Sequence, residues 1–176
     1  PLGRRETEEL LRPGQDLVIA GGLARDRARL MEALRQREEV VSTGVGNGVA
    51  IPHADLAEIE SPRLALGIFP DGVDFDALDE EPVYSAFVLL GTPRTPGLHM
   101  KTLARIARLS KDPEFSPGLR NAKSPDEVLA VLDAIRRKGL ELGLIREGQA
   151  VSDNDAMQLI LEPGFSTAGP QGPLIL

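Results

Sequence analysis

Apolar residues recur along this chain with two different periods, and the switches between them mark out its elements. Residues 17–20, Leu-Val-Ile-Ala, form a short apolar run stopped by Gly21-Gly22, the pattern of a strand ending in a turn. After Asp26, whose carboxylate suits an N-cap, Leu30, Met31 and Leu34 fall at helical spacing. Arg37 follows one turn later, at the border of that stripe and able to lean over the next loop. From Val45 the period becomes two: Val45, Asn47, Val49, Ile51 and His53 alternate with Gly44, Gly46, Gly48, Ala50, Pro52 and Ala54. The second set carries nothing larger than proline, so another segment can pack close to this backbone. Glycines at alternate positions mark a bent or closely approached strand, and Pro52, with no N–H for a ladder, belongs at an edge or an end. The expected strand leaves His53 just past its paired region, within reach of solvent.

Residues 63–69 and 83–90 are β-branched and aliphatic runs bounded by proline, aspartate and glycine, which predicts two further strands. The second is apolar nearly throughout, as a central strand covered on both faces would be. Thr95-Pro96-Gly97 reads as a helix start, with threonine as N-cap and proline at the first helical position. His99 then falls in the first turn, where free N–H groups and the positive end of the macrodipole favour an anion. Along that helix Leu103, Ile106 and Ala107 make an apolar stripe, and Lys101, Arg105 and Arg108 a basic one that reads as a solvated face. Residues 114–119 suit a short helix. Ser124-Pro125-Asp126-Glu127 opens another, whose Val128, Leu129, Leu132 and Ile135 recur at three- and four-residue steps. Strands interleaved with helices of this length predict an α/β sandwich.

Composition narrows the function. A length of 176 residues suits one domain with a tail, and 27 acidic against 20 basic residues argue against a nucleic-acid binder, which needs a clustered basic excess. Proteins or small solutes are the expected partners. There is no cysteine, hence no disulfide or thiolate chemistry, and no run approaches the roughly 20 apolar residues of a membrane-spanning helix. No positive-then-apolar leader is found either, so direct membrane insertion is not expected and a cytoplasmic location is. Pro1-Leu2-Gly3 has the form of a remnant of a protease-cleaved tag.

The densest chemistry lies in Arg37-Glu38, in Ser42-Thr43-Gly44-Val45-Gly46-Asn47-Gly48 and in Ile51-Pro52-His53-Ala54. These motifs resemble the enzyme IIA domains of the fructose/mannitol class of the bacterial phosphotransferase system, whose nitrogen-related branch shares them. The resemblance continues in order through residues 63–69, 72–83, 99–109 and 121–132. It implies an α/β three-layer sandwich, a mixed β-sheet with helices on both faces. It also divides the chain into a phosphocarrier domain over residues 4–137 and a C-terminal extension over residues 138–176.

By the same resemblance His53 is the nucleophile, accepting a phosphoryl group from the histidine phosphocarrier protein and passing it to an enzyme IIB domain in sugar uptake. His99 matches the family's second histidine, which implies a hydrogen bond from across the site to the phosphoryl group. Arg37 matches the arginine before the S-T-G turn, where a guanidinium suits bidentate contact with phosphate oxygens. Asn47 and the backbone of Ser42, Thr43, Gly44, Gly46 and Gly48 are expected to add donors, as anion-binding nests do. No metal or cofactor is required. An alternative is a regulatory module of the nitrogen-related branch, in which phosphorylation switches affinity for protein targets.

The residues by themselves also allow plainer readings. His53 and His99 could be surface or hydrogen-bonded histidines, and Arg37 a solvated cation at a helix end. Asp74, Asp76 and Asp79, with Phe75 and Leu78 between them, read as a turn-and-pack segment rather than a divalent-ion loop. A two-histidine metal hydrolase is a third reading, weakened because zinc wants three or four convergent ligands. Two features depart from the family pattern. Gly21-Gly22 runs almost directly into Leu23, where family members place a further helix. Residues 135–168 resemble a fragment of the ATP-binding domain of chemotaxis-type histidine kinases, but the glycine boxes and asparagine-bearing helix that would cradle ATP are missing. Read plainly, residues 153–161 are an amphipathic helix and residues 163–173 a glycine/proline-rich tail.

Overall fold

The computed structural model describes residues 26–141 and 174–175. The expected strand at 17–20, helix at 153–161 and tail at 163–173 lie outside the described residues, as does the side chain of Ile135. Helix α1 (Arg27–Val40) starts as the sequence predicts: the Asp26 carboxylate accepts the Arg29 N–H at 3.1 Å, and Leu30 and Leu34 are buried.

The alternating glycine stretch is not one strand. β1 (Gly44–Gly46) turns back at Asn47-Gly48 into β2 (Val49–Ala50), and β3 (His53–Asp55) follows. Asn47 and Gly48 take φ of +56° and +72°, the left-handed pair that a tight hairpin turn requires. A register shift between Gly44 and Gly46 absorbs the odd residue, so Gly44 faces Ala50 and the even positions stay on one face across the turn. That bulge is why the period of two ran on unbroken. β2 and β3 are parallel to β5 (Val83–Gly91) with one common offset, Val49 opposite Ser85 and His53 opposite Leu89. His53 therefore opens a paired segment instead of lying beyond one. Pro52, which has no N–H, takes part through its carbonyl, accepting the Leu89 N–H at 2.8 Å.

β4 (Arg63–Val73) runs antiparallel to β5, which is central and almost wholly buried. At the far edge of β4 the two-residue β6 (Leu174–Ile175) pairs with Gly67 and Ile68. Helices cover both faces of this mixed sheet. On one, Leu30 and Leu34 of α1 pack with Ala50, Ala54, Ala86, Val88 and Leu90, together with Phe75 and Ala77 from the 74–82 loop. Leu78 of that loop points outward. On the other, α2 (Pro96–Leu109), α3 (Phe115–Asn121) and α4 (Pro125–Glu141) supply Ile106, Phe115, Leu119, Val128 and Leu132 against Ile51, Ile68 and Phe87. The three-layer α/β sandwich is as expected. Helix α2 is rotated from its expected stripe: His99, Thr102 and Ile106 are its buried residues, with Leu103 and Ala107 half-buried beside them. At α4, Ser124 Oγ accepts the Glu127 N–H and the Glu127 carboxylate accepts the Lys123 N–H, a capping box displaced by one residue. Among the described residues no helix is long and apolar enough to cross a membrane.

The close approach read from the glycines is made by Ala77. A Cβ built on Gly44 would stand 2.7 Å from Ala77 Cα and 2.8 Å from its Cβ. Leu78 N–H, bonded to Gly44 O at 3.2 Å, holds that backbone in place. Gly44→Ala is therefore expected to lower stability by about 1–3 kcal/mol through overpacking, measured as a lower melting temperature. An unchanged melting curve would show that the loop yields freely.

Candidate functional site

The last turn of α1, the start of β3 and the first turns of α2 meet at one end of the sheet. Arg37, one turn from the helix end, donates from Nη1 to Val41 O at 3.1 Å and from Nε to His53 Nε2 at 3.0 Å. A nitrogen that accepts from a guanidinium carries a lone pair, so the proton of this imidazole is on Nδ1, which lies 2.8 Å from Ile51 O. The backbone thus fixes the tautomer. Burial lowers the pKa of half-buried His53 below the ordinary 6.5, and the neighbouring Arg37 and His99 act in the same direction. The Ile51 carbonyl and Asp55 oppose the shift without reversing it.

His99 presents its ring edge-on to His53, with centroids 5.4 Å apart and planes at 67°. It is only 6% exposed, so it enters the site from within and not from a solvated helix start. Its backbone N–H bonds to Thr95 O, and Thr95 makes no side-chain cap; the free amide expected to attract an anion here is already used. His99 Nδ1 comes within 3.0 Å of Asp55 Oδ1, without the alignment of a hydrogen bond. Asp55 is two residues beyond His53 on the same face of β3. Gly91 is its partner on β5, and a Cβ there would overlap both His99 Nδ1 and Asp55 Oδ1.

The family model for the EIIA 2 component of the phosphoenolpyruvate-dependent sugar phosphotransferase system matches residues 4–135. The chain belongs to this family. It is 32% identical over 129 residues to the fructose-specific EIIABC component of Bacillus subtilis, covering 73% of this chain and 20% of that much longer protein. It is 34% identical to the nitrogen regulatory protein IIA-Ntr of Neisseria meningitidis, with a TM-score of 0.58 over 60% of this chain and 73% of that one. The mannitol enzyme IIA of Escherichia coli, solved in complex with phosphorylated mannitol enzyme IIB, shares the fold at 19% identity and a TM-score of 0.58, over 76% of this chain and 98% of that one.

In this EIIA 2 chain the expected phosphate-binding set divides. Ser42 and Thr43 lie on the loop after Arg37, but the Ser42 hydroxyl and both Thr43 donors are committed inward. Ser42 Oγ donates to Phe75 O, and Thr43 gives its N–H and its hydroxyl to the Glu38 carboxylate at 2.8 and 2.5 Å. Gly44 N–H returns to Ser42 Oγ at 3.1 Å. Gly46, Asn47 and Gly48 sit at the hairpin tip: Asn47 N–H donates to Asp79 at 2.7 Å, and Gly48 packs on Tyr84. Val49 aligns with Ser85 and His53 with Leu89, so about 13 Å of strand separates Val49 from His53, and the tip lies beyond Val49. The motif thus builds the strand and turn that carry the histidine; its tip does not surround it. The tip instead lines an open cleft of about 680 Å³ with Asp79, Tyr84 and Arg120. The site itself brings together a half-buried ring, a buried ring and a guanidinium. Among the described residues no three histidines or acids converge as metal ligands. Sequence reasoning missed Asp55, Gly91 and the Ile51 carbonyl, and gave Glu38 no role.

Proposed function

We propose that this chain is a phosphocarrier in which His53 Nε2 takes a phosphoryl group from the histidine phosphocarrier protein and yields it to an enzyme IIB domain in sugar uptake. The observation that carries the reading is the tautomer: with Nδ1–H held by Ile51 O, the lone pair of Nε2 points at Arg37. In the transfer a nitrogen–phosphorus bond of the donor breaks, its electron pair returns to the donor ring, and the Nε2–phosphorus bond forms. No proton has to move. Positive charge developing on the His53 ring is offset at Nδ1 by the Ile51 carbonyl and nearby by Asp55. Arg37 leaves Nε2 for the phosphoryl oxygens, and His99 donates to them from the other side, which suits a loose, in-line transfer stabilised by fixed charges. The complex of the mannitol relative with phosphorylated enzyme IIB supports the onward step. This reading locates the chain in the cytoplasm with its phosphoryl donors.

The test is incubation with phosphoenolpyruvate, enzyme I and the histidine phosphocarrier protein. One acid-labile, base-stable phosphoryl group per chain is expected, mapped to His53 by mass spectrometry; no adduct with competent donors rejects the reading. The rate of uptake should fall on acidification with its midpoint below 6.5, because burial disfavours the protonated ring. The sign for stability is the same: the contribution of neutral His53 is complete above 6.5 and is lost as pH falls through the lowered folded pKa.

Similarity to IIA-Ntr favours a second reading, a regulatory module whose phosphorylation at His53 switches affinity for a protein target. Transfer from the phosphorylated chain to a IIB domain supports the carrier. Its absence, with a target retained by His53→Ala but not by His53→Asp, supports the switch.

A further inference from the structure

We infer that Glu38 is a positioning residue for His53, acting through the backbone to hold the imidazole in its nucleophilic tautomer. Glu38 sits in the last turn of α1, where an acidic side chain opposes the helix macrodipole, so its place there calls for a compensating interaction. Two donors from one residue provide it: Thr43 N–H at 2.8 Å and Thr43 Oγ1–H at 2.5 Å. Thr43 is 4% exposed, and both bonds are charge-assisted.

From Thr43 the path continues through main-chain groups. The Thr43 carbonyl accepts the Ile51 N–H at 2.9 Å. Ile51, 3% exposed and packed in the helical core, turns its own carbonyl to His53 Nδ1 at 2.8 Å. Glu38 therefore sets Thr43, Thr43 sets the Ile51 peptide, and that peptide decides which ring nitrogen keeps the proton. The adjacent Arg37 meets the opposite nitrogen of the same ring. One turn of helix thus governs both nitrogens of the nucleophile, one by direct contact and one through the loop.

The inference rests on the phosphocarrier reading for its kinetic consequence, but its structural consequence is measured separately. Long-range ¹H–¹⁵N NMR of the full chain at neutral pH should show His53 as the Nδ1–H tautomer. In Glu38→Ala the Nε2–H form should appear, and the initial rate of phosphorylation by the histidine phosphocarrier protein should fall about tenfold or more. Glu38→Gln, whose amide oxygen still accepts the Thr43 N–H, should restore the tautomer and stay within about threefold of the wild-type rate. Should Glu38→Ala not fold, Thr43→Val, which removes one of the two donors, should shift tautomer and rate in the same direction by less. A folded Glu38→Ala or Thr43→Val with the tautomer unchanged overturns the inference, even where its melting temperature drops. If the wild type takes up no phosphate, the phosphocarrier reading fails while the tautomer still decides the role of Glu38.

Discussion

Alanine in place of His53 is expected to abolish phosphoryl uptake, leaving no acid-labile adduct under conditions that label the wild type to one group per chain. The loss is complete because the second ring cannot stand in. His99 is 6% exposed, with Nδ1 turned to Asp55, so neither its accessibility nor its orientation suits attack on a partner's phosphorus. The fold should survive. His53 is half-buried, and its removal breaks contacts to Arg37 and to Ile51 O, a cost of about 1–3 kcal/mol if the carbonyl is left unpaired. A circular-dichroism spectrum like that of the wild type, with a melting temperature several degrees lower, is the expected companion of the lost adduct. Retention of the adduct in a well-folded His53→Ala would place the nucleophile elsewhere.

Much of this arrangement was legible in the residues, for reasons that differ by element. Helix α1 was read with its cap because Asp26, Leu30 and Leu34 sit on an ordinary 3.6-residue period and tertiary packing agrees with it. The hairpin was hidden because a bulge beside its two-residue turn restored parity, so the alternation from Val45 to His53 passed over the reversal. Asn47-Gly48 was itself the stronger local signal, since both residues suit positive φ. The long apolar run of β5 was read as central and is paired on both sides. The helix start at Thr95-Pro96 was read where it lies, but the anion preference beside His99 was not, because the Leu98 and His99 amides bond to Thr95 O and the His99 side chain turns inward.

The three side chains proposed for catalysis meet at one place, yet the donors around them were assigned too widely. The family resemblance suggested donors over residues 42–48; strand geometry carries the tip of that segment more than about 13 Å along the strand from the histidine. Asp55 was detectable by the period of two from His53, and Glu38 by its conflict with the helix dipole. Gly91 ends an apolar strand, which is a signal of close approach but says nothing about what approaches. Only the register of β3 against β5 shows that it faces Asp55 and the His99 ring.

That register makes Gly91→Ala the second large effect. A methyl group there would overlap His99 Nδ1 and Asp55 Oδ1, and the two neighbours differ in how they can yield. The Asp55 side chain is 48% exposed and can swing into solvent, whereas the His99 ring is buried and must push against its packing. The added carbon therefore moves the ring that faces His53 and separates it from its carboxylate. A displacement of this kind is expected to lower the rate of phosphoryl uptake about 100-fold. Overpacking should also remove about 1–3 kcal/mol of stability. Gly97→Ala is the matching control: nothing lies within 4 Å of a Cβ at that position, so the rate should hold. Its helix should gain about 0.4–1 kcal/mol from the restricted unfolded chain. Steady labelling rates and thermal melts of the two variants side by side separate the outcomes. If Gly91→Ala labels as fast as Gly97→Ala, the contact between His99 and Asp55 has no part in transfer, and the second ring is a packing residue only.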